Sequence, residues 1–483
     1  EGQLNMQLLI STKLRPAKFS LLPRFLISHF PQLSRPLQLT NLFVFRSAEK
    51  PLQRTLSKGL RAVSSCHRRL LKILIASGLI ASGTFSSSAT AQEPVRLGFM
   101  DPLSGTFASV GTSGLNLLEF AVDYLYNSKG GILGGRPIEI VALDNKQSPT
   151  ETQLQFRRAV SEELRIIFQG NSSAVANTLN QTISRHNRRN AGQEVLQINY
   201  AAVDPILTNE ECSFWHFRFD AHAVMKLEIL TDFIARNEDI KSVYIIGQDY
   251  SFGQVVADNT VRLLAEKRPD IEVVGNEFHP IGTVKDFTPY VTKIVSSGAD
   301  AVITGNFGAD MVSLARSLID SGMDAPIYTF YAAYDGITAT LGEDGKDRIR
   351  LIHTDSANPI ASATRREFNH AYKAAHPNFD VTQSRLVNAL MMVVTAMEQA
   401  QSDDPYDVAV QLEDMRFTNI GGDELWMRPD DHQLIQPLYI SKQTDEGIEF
   451  DADNSGFGLF TEYEVSGDDT ALEHSCRMRR PRR

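Results

Sequence analysis

The feature that most constrains this chain is an alternation of strand-like and helix-like segments that runs twice. A short apolar segment at 95–100 precedes residues 113–126, where apolar residues recur with helical spacing. This alternation continues to residue 198, and a second run covers 224–330. Strands that alternate with helices form parallel sheets covered by helices on both faces. The sequence therefore predicts an α/β protein with two doubly wound, Rossmann-like lobes.

Two units of similar size predict a cleft between the lobes. In open α/β sheets, ligands bind outside the carboxyl ends of the strands, so binding residues are expected in the loops that follow them. The sequence has no nucleophile–base pair, phosphate loop, dinucleotide fingerprint or histidine set with ligand spacing. No cofactor is predicted, and an enzyme is the least favoured interpretation.

One segment fits a calcium-binding loop in its spacing. Asp451, Asp453, Ser455 and Gly456 are followed by Glu462, as in an EF-hand. An EF-hand also needs a helix on each side, whereas the flanking residues are typical of strands and turns. We therefore predict no metal site here.

The charge is distributed unevenly along the chain. The 483 residues carry a net charge of −10, but residues 1–91 carry +11 and the remainder −21. A body this acidic argues against nucleic acid, whose binders present a basic face. It also argues against docking on anionic lipid.

The first part of the chain has the features of an export signal. A basic stretch at 68–72 precedes an apolar stretch at 73–81 and a small-x-small cleavage site that ends at Ala91. We expect a signal peptide at 63–91 that uses the general secretory route, with the mature chain beginning at Gln92. Residues 1–62 are interpreted as an upstream extension, either without function or disordered.

Two cysteines remain after such a cleavage. Cys212 and Cys476 form an even pair in a chain expected to reach an oxidising compartment. A disulfide would tether Cys476, which lies in a tail with few apolar residues. The alternative is two unrelated thiols.

Several motifs resemble one known family. They occur, in chain order, at 98–105, 130–138, 170–173, 199–208, 217–218, 249–253 and 282–287. In order and spacing they resemble the type I periplasmic solute-binding proteins of the branched-chain amino acid (Leu/Ile/Val-binding protein) ABC transporter family. The resemblance extends from about Val95 to about Ile440.

The resemblance implies lobes that are discontinuous in sequence and joined by three hinge crossovers, near Phe219, Ser356 and Met427. The expected segments are 94–219 plus 357–427 for lobe 1, 220–356 plus 428–460 for lobe 2, and 461–483 for a C-terminal tail.

The resemblance also implies ligand-binding residues in the loops after the strands. Ser172 and Ser173 precede a predicted helix and would bind a ligand carboxylate; the alternative is that they only cap the helix. Ala201 and Ala202 would offer a backbone carbonyl. Val203 replaces a hydroxyl-bearing residue of the family. Ser104, in the first motif, is also a candidate.

Aromatic residues are expected in the second lobe. Phe252 and Phe307 take positions where the family often has tyrosine, and with Tyr200 and Tyr331 they predict a flat, apolar pocket. The acid that would pair with a ligand ammonium is expected near Tyr331, where Asp335 is the nearest. Either Asp335 reaches the ligand or the ligand carries no ammonium, because an unpaired buried ammonium is costly.

The resemblance implies a periplasmic, monomeric protein that binds a small carboxylate, such as an amino acid or an aromatic acid. Its partners would be an ABC permease and ATPase complex. A sensor of the same fold is the alternative.

Overall fold

The computed structural model describes residues 92–333 and 336–481. Its strands are β1 (Val95–Asp101), β2 (Ile138–Asp144), β3 (Ile166–Gln169), β4 (Leu196–Asn199), β5 (His216–Arg218), β6 (Ser242–Gln248), β7 (Glu272–His279), β8 (Ala301–Thr304), β9 (Ile327–Thr329), β10 (Ile349–His353), β11 (Arg416–Thr418), β12 (Glu424–Met427), β13 (Leu434–Ile435), β14 (Leu438–Thr444) and β15 (Gly458–Val465). Its α-helices are α1 (Ala108–Leu125), α2 (Pro149–Ser161), α3 (Ser173–Asn187), α4 (Ala223–Ala235), α5 (Ser251–Lys267), α6 (Thr288–Ser297), α7 (Gly308–Asp320), α8 (Ile337–Leu341), α9 (Ala363–Ala375), α10 (Ser384–Ala400), α11 (Pro405–Leu412) and α12 (Gly467–Thr470).

Two sheets organise the chain. The first has five parallel strands in the order β2-β1-β3-β4-β5. The second has seven strands in the order β15-β14-β10-β9-β8-β6-β7, with β14 and β15 antiparallel to their neighbours. In both sheets the strand order reverses beside the first strand, at β1 and at β6, which is where ligands bind in such folds. The predicted α/β architecture of two doubly wound lobes is confirmed.

Local sequence fixes where several helices begin. Ser148 accepts a hydrogen bond at its Oγ from the N–H of Glu151, and Pro149 occupies the first helical position of α2. His222 acts in the same way before α4, because its Nδ1 accepts from the N–H of Met225. The caps therefore fix the start of α2 after strand β2 and the start of α4 after the first crossover.

Each sheet has its own apolar core. Phe99 and Ile167 of the first sheet pack with α9, α10 and α11, in a cluster that includes the fully buried Leu390. Ile303 and Ile440 of the second sheet lie in the other cluster, with α4 to α7. We call these two bodies the first and second lobes.

Before its C-terminal tail, the chain passes between the lobes at three places. The first passage follows Phe219, and the second lies between β10 and α9. The third lies between Leu434 and Ile435, beyond the Met427 expected from the resemblance. The physical reason is that Met427 pairs with Leu434 in a small antiparallel sheet, β11-β12-β13, which packs on the first core.

The expected C-terminal tail starts as a strand, because β15 continues to Val465. The chain then returns to the first lobe, where Cys476 is disulfide-bonded to Cys212 with their Cα atoms 5.7 Å apart. Ser475 donates its N–H to Asn209 Oδ1 at 2.8 Å. The tail is therefore a fourth connection between the lobes.

The segments predicted as an upstream extension and a signal peptide, 1–62 and 63–91, lie outside the described residues. Among the helices that the structure does describe, none combines the length and apolar character needed to cross a bilayer.

Candidate functional site

The loops after the strands meet in a narrow cleft between the lobes. The first lobe contributes residues 170–173 after β3 and 201–203 after β4. The second lobe contributes Tyr250, Phe252, Phe307 and Tyr331. The space enclosed is about 20 Å³, roughly that of one water molecule, so the lobes are closed on each other.

Most of the expected binding residues meet in this cleft. Ser172, Ser173, Ala201, Ala202, Val203, Phe252, Phe307 and Tyr331 all line it. Ser104 does not, because its hydroxyl donates to Asp144 Oδ2 at 2.6 Å on the exposed surface. Asp335 lies outside the described residues.

The start of α3 lies at the cleft without a side-chain cap. Ser172 has φ 73°, and its side chain accepts no capping hydrogen bond from the helix. Ser173 is engaged elsewhere, since its Oγ accepts from the N–H of Asp204 at 3.2 Å. The first N–H groups of a helix have no partner within the helix, and the helix dipole favours an anion there. The side chain of Ser172 is therefore not a helix cap.

The loop after β4 contacts the second lobe directly. Tyr331 donates its hydroxyl hydrogen to the carbonyl of Ala201 at 3.3 Å, across the cleft. Val203 is buried in the second core, and its carbonyl accepts from the N–H of Ala223 at 2.8 Å. The Ala201 carbonyl expected to bind a ligand amine thus accepts from Tyr331 in this closed form.

The aromatic residues of the second lobe pack against one another. The ring centroids of Phe252 and Tyr331 are 5.9 Å apart, and those of Phe307 and Tyr331 are 6.2 Å apart. Tyr250, which we did not single out from the sequence, joins them at 6.0 Å from Phe252. The sequence feature that could have identified Tyr250 is its position in the 249–253 motif, two residues before Phe252. Together these rings form an apolar wall.

Tyr200 does not line this wall, contrary to expectation. Its ring is buried beneath the loop after β3, so close that a Cβ on Gly170 would lie 2.6 Å from it. Its hydroxyl donates to Asp101 Oδ2, which also accepts from Asn171 Nδ2 at 3.0 Å. The other oxygen of Asp101 accepts from the N–H groups of Gly170 and Asn171 at 3.2 and 2.9 Å. Asp101 therefore holds in place the loop after β3, which lines the cleft.

Burial raises the pKa of Asp101 to about 6, although the hydrogen bonds from Tyr200, Asn171 and Gly170 oppose this. The folded state thus holds this proton more tightly than the unfolded state, whose carboxyl has its ordinary value of 3.8. The proton on Asp101 therefore stabilises the folded state fully below about pH 4, and this stabilisation is lost as the pH rises through 6.

We expect this carboxyl to lower the free energy of unfolding by up to about 3 kcal/mol between pH 4 and pH 7. Denaturant unfolding at both pH values should show a smaller pH difference for Asp101→Asn than for the wild type. Asp144→Asn is the control, because hydrogen bonds from Ser104 and Leu103 lower the pKa of Asp144 and move its titration below this range. An unchanged pH difference in Asp101→Asn would contradict the assignment.

A buried ion pair lies next to the aromatic wall, at the first crossover. Lys226 Nζ is 2.7 Å from Asp220 Oδ1 and 5.2 Å from the centroid of the Tyr331 ring. Arg385 Nε, from the first lobe, is 3.4 Å from Asp220 Oδ2. Burial lowers the pKa of Lys226, and the charge of Asp220 opposes this. Through Asp220, the ion pair connects Lys226 of the second lobe with Arg385 of the first lobe beside the cleft.

The calcium-like motif has structural contacts instead. Asp453 accepts from the N–H groups of Gly336 and Ala339, and Glu462 pairs with Arg350 at 3.0 Å. In the part of the chain that the structure describes, no group of three His, Cys, Asp or Glu residues is placed to hold a metal ion.

The two lobes, the switch points and the closed cleft define a two-lobed ligand-binding protein. A family model described as periplasmic binding protein matches residues 94–447. The chain belongs to the periplasmic binding protein family, and the resemblance to its branched-chain amino acid branch is confirmed. The family consists of solute-binding proteins rather than enzymes.

Individual relatives agree with this assignment. Leu/Ile/Val-binding protein homolog 4 of Brucella abortus (strain 2308) is 28% identical over 424 residues, covering 85% of this chain and 99% of the relative. The closed crystal structure of the leucine-, isoleucine-, valine-, threonine- and alanine-binding protein of Brucella ovis is similar with a TM-score of 0.71 and 26% identity, covering 81% of this chain and 100% of that one.

A solute-binding protein of an ABC transporter from R. palustris, solved in complex with benzoate, has a TM-score of 0.66 and 18% identity. It covers 80% of this chain and 99% of that one, and the likeness is one of fold.

Proposed function

We propose that this protein captures a small carboxylate in the cleft between its lobes and delivers it to an ABC permease and ATPase complex in the inner membrane. One observation carries the proposal: the start of α3, where the Ser172 side chain caps no helical N–H, faces an apolar aromatic wall across the cleft. A carboxylate would bind the helix start, and the rest of the ligand would pack on the rings. The protein acts by binding, without catalysis.

The cleft favours a ligand with little polarity beyond its carboxylate. None of the described residues that line it carries a charge, and the wall consists of Tyr250, Phe252, Phe307 and Tyr331. A branched-chain amino acid fits if Asp335 supplies the partner for its ammonium, and an aromatic acid fits without that partner. The Leu/Ile/Val-binding relatives support the first class, and the apolar wall supports the second.

Ligand capture would be coupled to closure of the hinge. The hydrogen bond from Tyr331 to Ala201 joins the two lobes, so it must break when they separate. A bound ligand would take its place and hold the closed form that the permease receives.

A thermal-shift screen of aliphatic amino acids, aromatic acids and their amides would identify the ligand, because a ligand bound only to the folded state raises the melting temperature.

Replacing Ser172 and Ser173 together with alanine should weaken ligand binding without unfolding the protein. A hydrogen bond to a charged group typically contributes about 1.5–3 kcal/mol, so we expect a loss of affinity of roughly tenfold or more. Calorimetry with the ligand from the screen measures it. Ser104→Ala is the matched control, since Ser104 lies outside the cleft. Equal affinity of the double variant and the wild type would remove both serines from the binding site.

We also propose that the exported protein begins at Gln92 and resides in the periplasm. The basic stretch, the apolar stretch and the cleavage site at Ala91 support this start. N-terminal sequencing of periplasmic material should give Gln92 as the first residue. A mature start before residue 68 would contradict the proposed signal peptide.

A further inference from the structure

A second, larger cavity lies between the lobes, and a small pocket that shares Tyr331 with the cleft and His353 and Asp355 with this cavity lies between the two. It has a volume of about 290 Å³ and is bounded by the second crossover at 355–358, by α9 and by the loop between β14 and β15. We call it the crossover chamber. A cavity of about 150 Å³ is enough to hold benzene, so this chamber has room for a substituted ring or an amino acid.

Both lobes form the walls of the chamber. The loop between β14 and β15 is anchored at the crossover, where Asn358 Oδ1 accepts from the N–H of Phe450 at 2.8 Å. The same loop reaches the first lobe, where Asp453 donates its N–H to Asp380 Oδ2 at 2.7 Å and Asn454 Nδ2 donates to Pro377 O at 3.0 Å. The chamber therefore exists in this form only while the lobes are closed.

Polar atoms without a partner among the described residues lie in its lining. Arg365 and Asn369 are 5% and 8% exposed, and the Nε of Arg365 and the Oδ1 of Asn369 are buried without a hydrogen bond there. The Oγ1 of Thr382 is a third such atom. Buried polar groups are nearly always paired with protein or with ordered water, so this donor and this acceptor are available to water or to a ligand in the chamber.

The described lining of the chamber holds four carboxylates, of Asp355, Asp380, Glu449 and Asp451, and two cations, Arg365 and Lys373, so a carboxylate can bind only where a cation is weakly paired. Among the lining residues, Lys373 is paired with Asp380 at 2.6 Å, and His370 lies 3.9 Å from Glu449. Arg365 has a carboxylate at a longer distance, 3.8 Å from Asp355, and donates a hydrogen bond to Ser384 Oγ at 3.3 Å.

Burial also affects the other ionisable groups of the lining. Burial raises the pKa of Asp355, and burial lowers the pKa of His353 to about 3, which keeps that ring neutral. Asp451 accepts from the N–H of Gly456 at 2.9 Å. Arg365 is thus the cation with the weakest compensation in the chamber.

We infer that the crossover chamber is a second binding site, for a small organic carboxylate that also carries a hydrogen-bond donor. The carboxylate pairs with Arg365, the donor is accepted by Asn369 Oδ1, and the apolar body packs on Ile360, Val381 and Phe450. Because both lobes contact this ligand, it stabilises the closed form. It therefore raises the affinity of the cleft for its own ligand, and the cleft ligand raises the affinity of the chamber by the same factor.

The test uses calorimetry of the exported protein with 4-hydroxybenzoate, which combines a carboxylate, a ring and a hydroxyl donor, and with the uncharged 4-hydroxybenzamide. We expect one equivalent of 4-hydroxybenzoate to bind even when Ser172 and Ser173 are replaced with alanine. The affinity for this equivalent should be at least tenfold lower in Arg365→Gln. The uncharged 4-hydroxybenzamide should not bind at this site in its place.

Two further variants test whether the effect is specific to the chamber. Asn369→Leu removes the Oδ1 acceptor while leaving Arg365, Asp355 and Ser384 unchanged, and it should also weaken this equivalent at least tenfold. Arg366→Gln changes the neighbouring arginine of α9, which does not line the chamber, and should have no effect. Melting temperatures establish that each variant is folded.

The outcomes separate the two proposals. If no serine-independent equivalent binds, or if it is the same in Arg365→Gln and Asn369→Leu as in the wild type, the chamber is not a carboxylate site. If the serine replacements leave all binding unchanged while Arg365→Gln abolishes it, the chamber proposal holds and the proposed role of the cleft serines fails.

Discussion

Replacing Lys226 with alanine should lower the free energy of unfolding by about 3–5 kcal/mol, because removal of one partner leaves a buried charge without compensation. Lys226 and Asp220 are 1% and 0% exposed, and their charged atoms are 2.7 Å apart. Arg385 remains 3.4 Å from Asp220, so we expect the lower part of this range. The midpoint of guanidinium denaturation measures the change.

A variant that keeps the side-chain volume is the control. Lys226→Met removes the charge but keeps much of the volume, so it should destabilise the protein nearly as much as Lys226→Ala when the lost charge is the cause. Arg262→Ala provides a surface reference, because its ion pair with Glu266 is exposed and should contribute about 1 kcal/mol or less. A loss below about 1 kcal/mol in Lys226→Ala would show that the buried pair contributes no more than a surface pair.

Replacing Cys212 and Cys476 together with serine should destabilise the protein by up to about 5–6 kcal/mol in the chain-entropy model, in which a bond that closes a long loop restricts the unfolded chain most. The two residues are 264 positions apart. Engineered disulfides often contribute less, so this figure is an upper one. Guanidinium denaturation under non-reducing conditions gives the value.

The single variants Cys212→Ser and Cys476→Ser separate the bond from the side chains. Each alone should lose as much stability as the pair, because either change removes the same bond. Mass spectrometry of unreduced, alkylated periplasmic protein should find neither thiol alkylated. Two alkylated thiols in fresh material would refute the bond in solution.

The alternation of strands and helices was enough to predict both doubly wound lobes, because buried parallel strands are apolar runs and their helices are amphipathic. It did not predict β10, whose Arg350 and His353 interrupt the apolar pattern. Both residues have specific partners, Glu462 for Arg350 and Ser441 for His353, that come from strands far along the chain. Contacts of this kind depend on the assembled sheet and leave no local pattern.

The cleft was partly predictable for the same reason. Motif order placed Ser172, Phe252 and Phe307 just beyond the carboxyl ends of strands, and in the structure all three line the cleft, with Phe252 in the first turn of α5. It could not distinguish Tyr200, which bonds Asp101 beneath the loop, from Tyr250, which faces the cleft. Which side of a loop an aromatic ring occupies depends on partners such as Asp101, and these are distant in sequence.

The bond between Cys212 and Cys476 also determines what a protease can release from this protein. The bond closes a covalent ring that contains the whole second lobe and helices α9, α10 and α11 of the first. A single cut in an exposed loop inside that ring, such as the one between β7 and α6, leaves both fragments attached through the bridge. The two fragments would therefore remain in one covalently linked molecule. The nicked protein could retain its two lobes and the cleft between them, whereas a cut before residue 212 would free the N-terminal strands from any covalent tie.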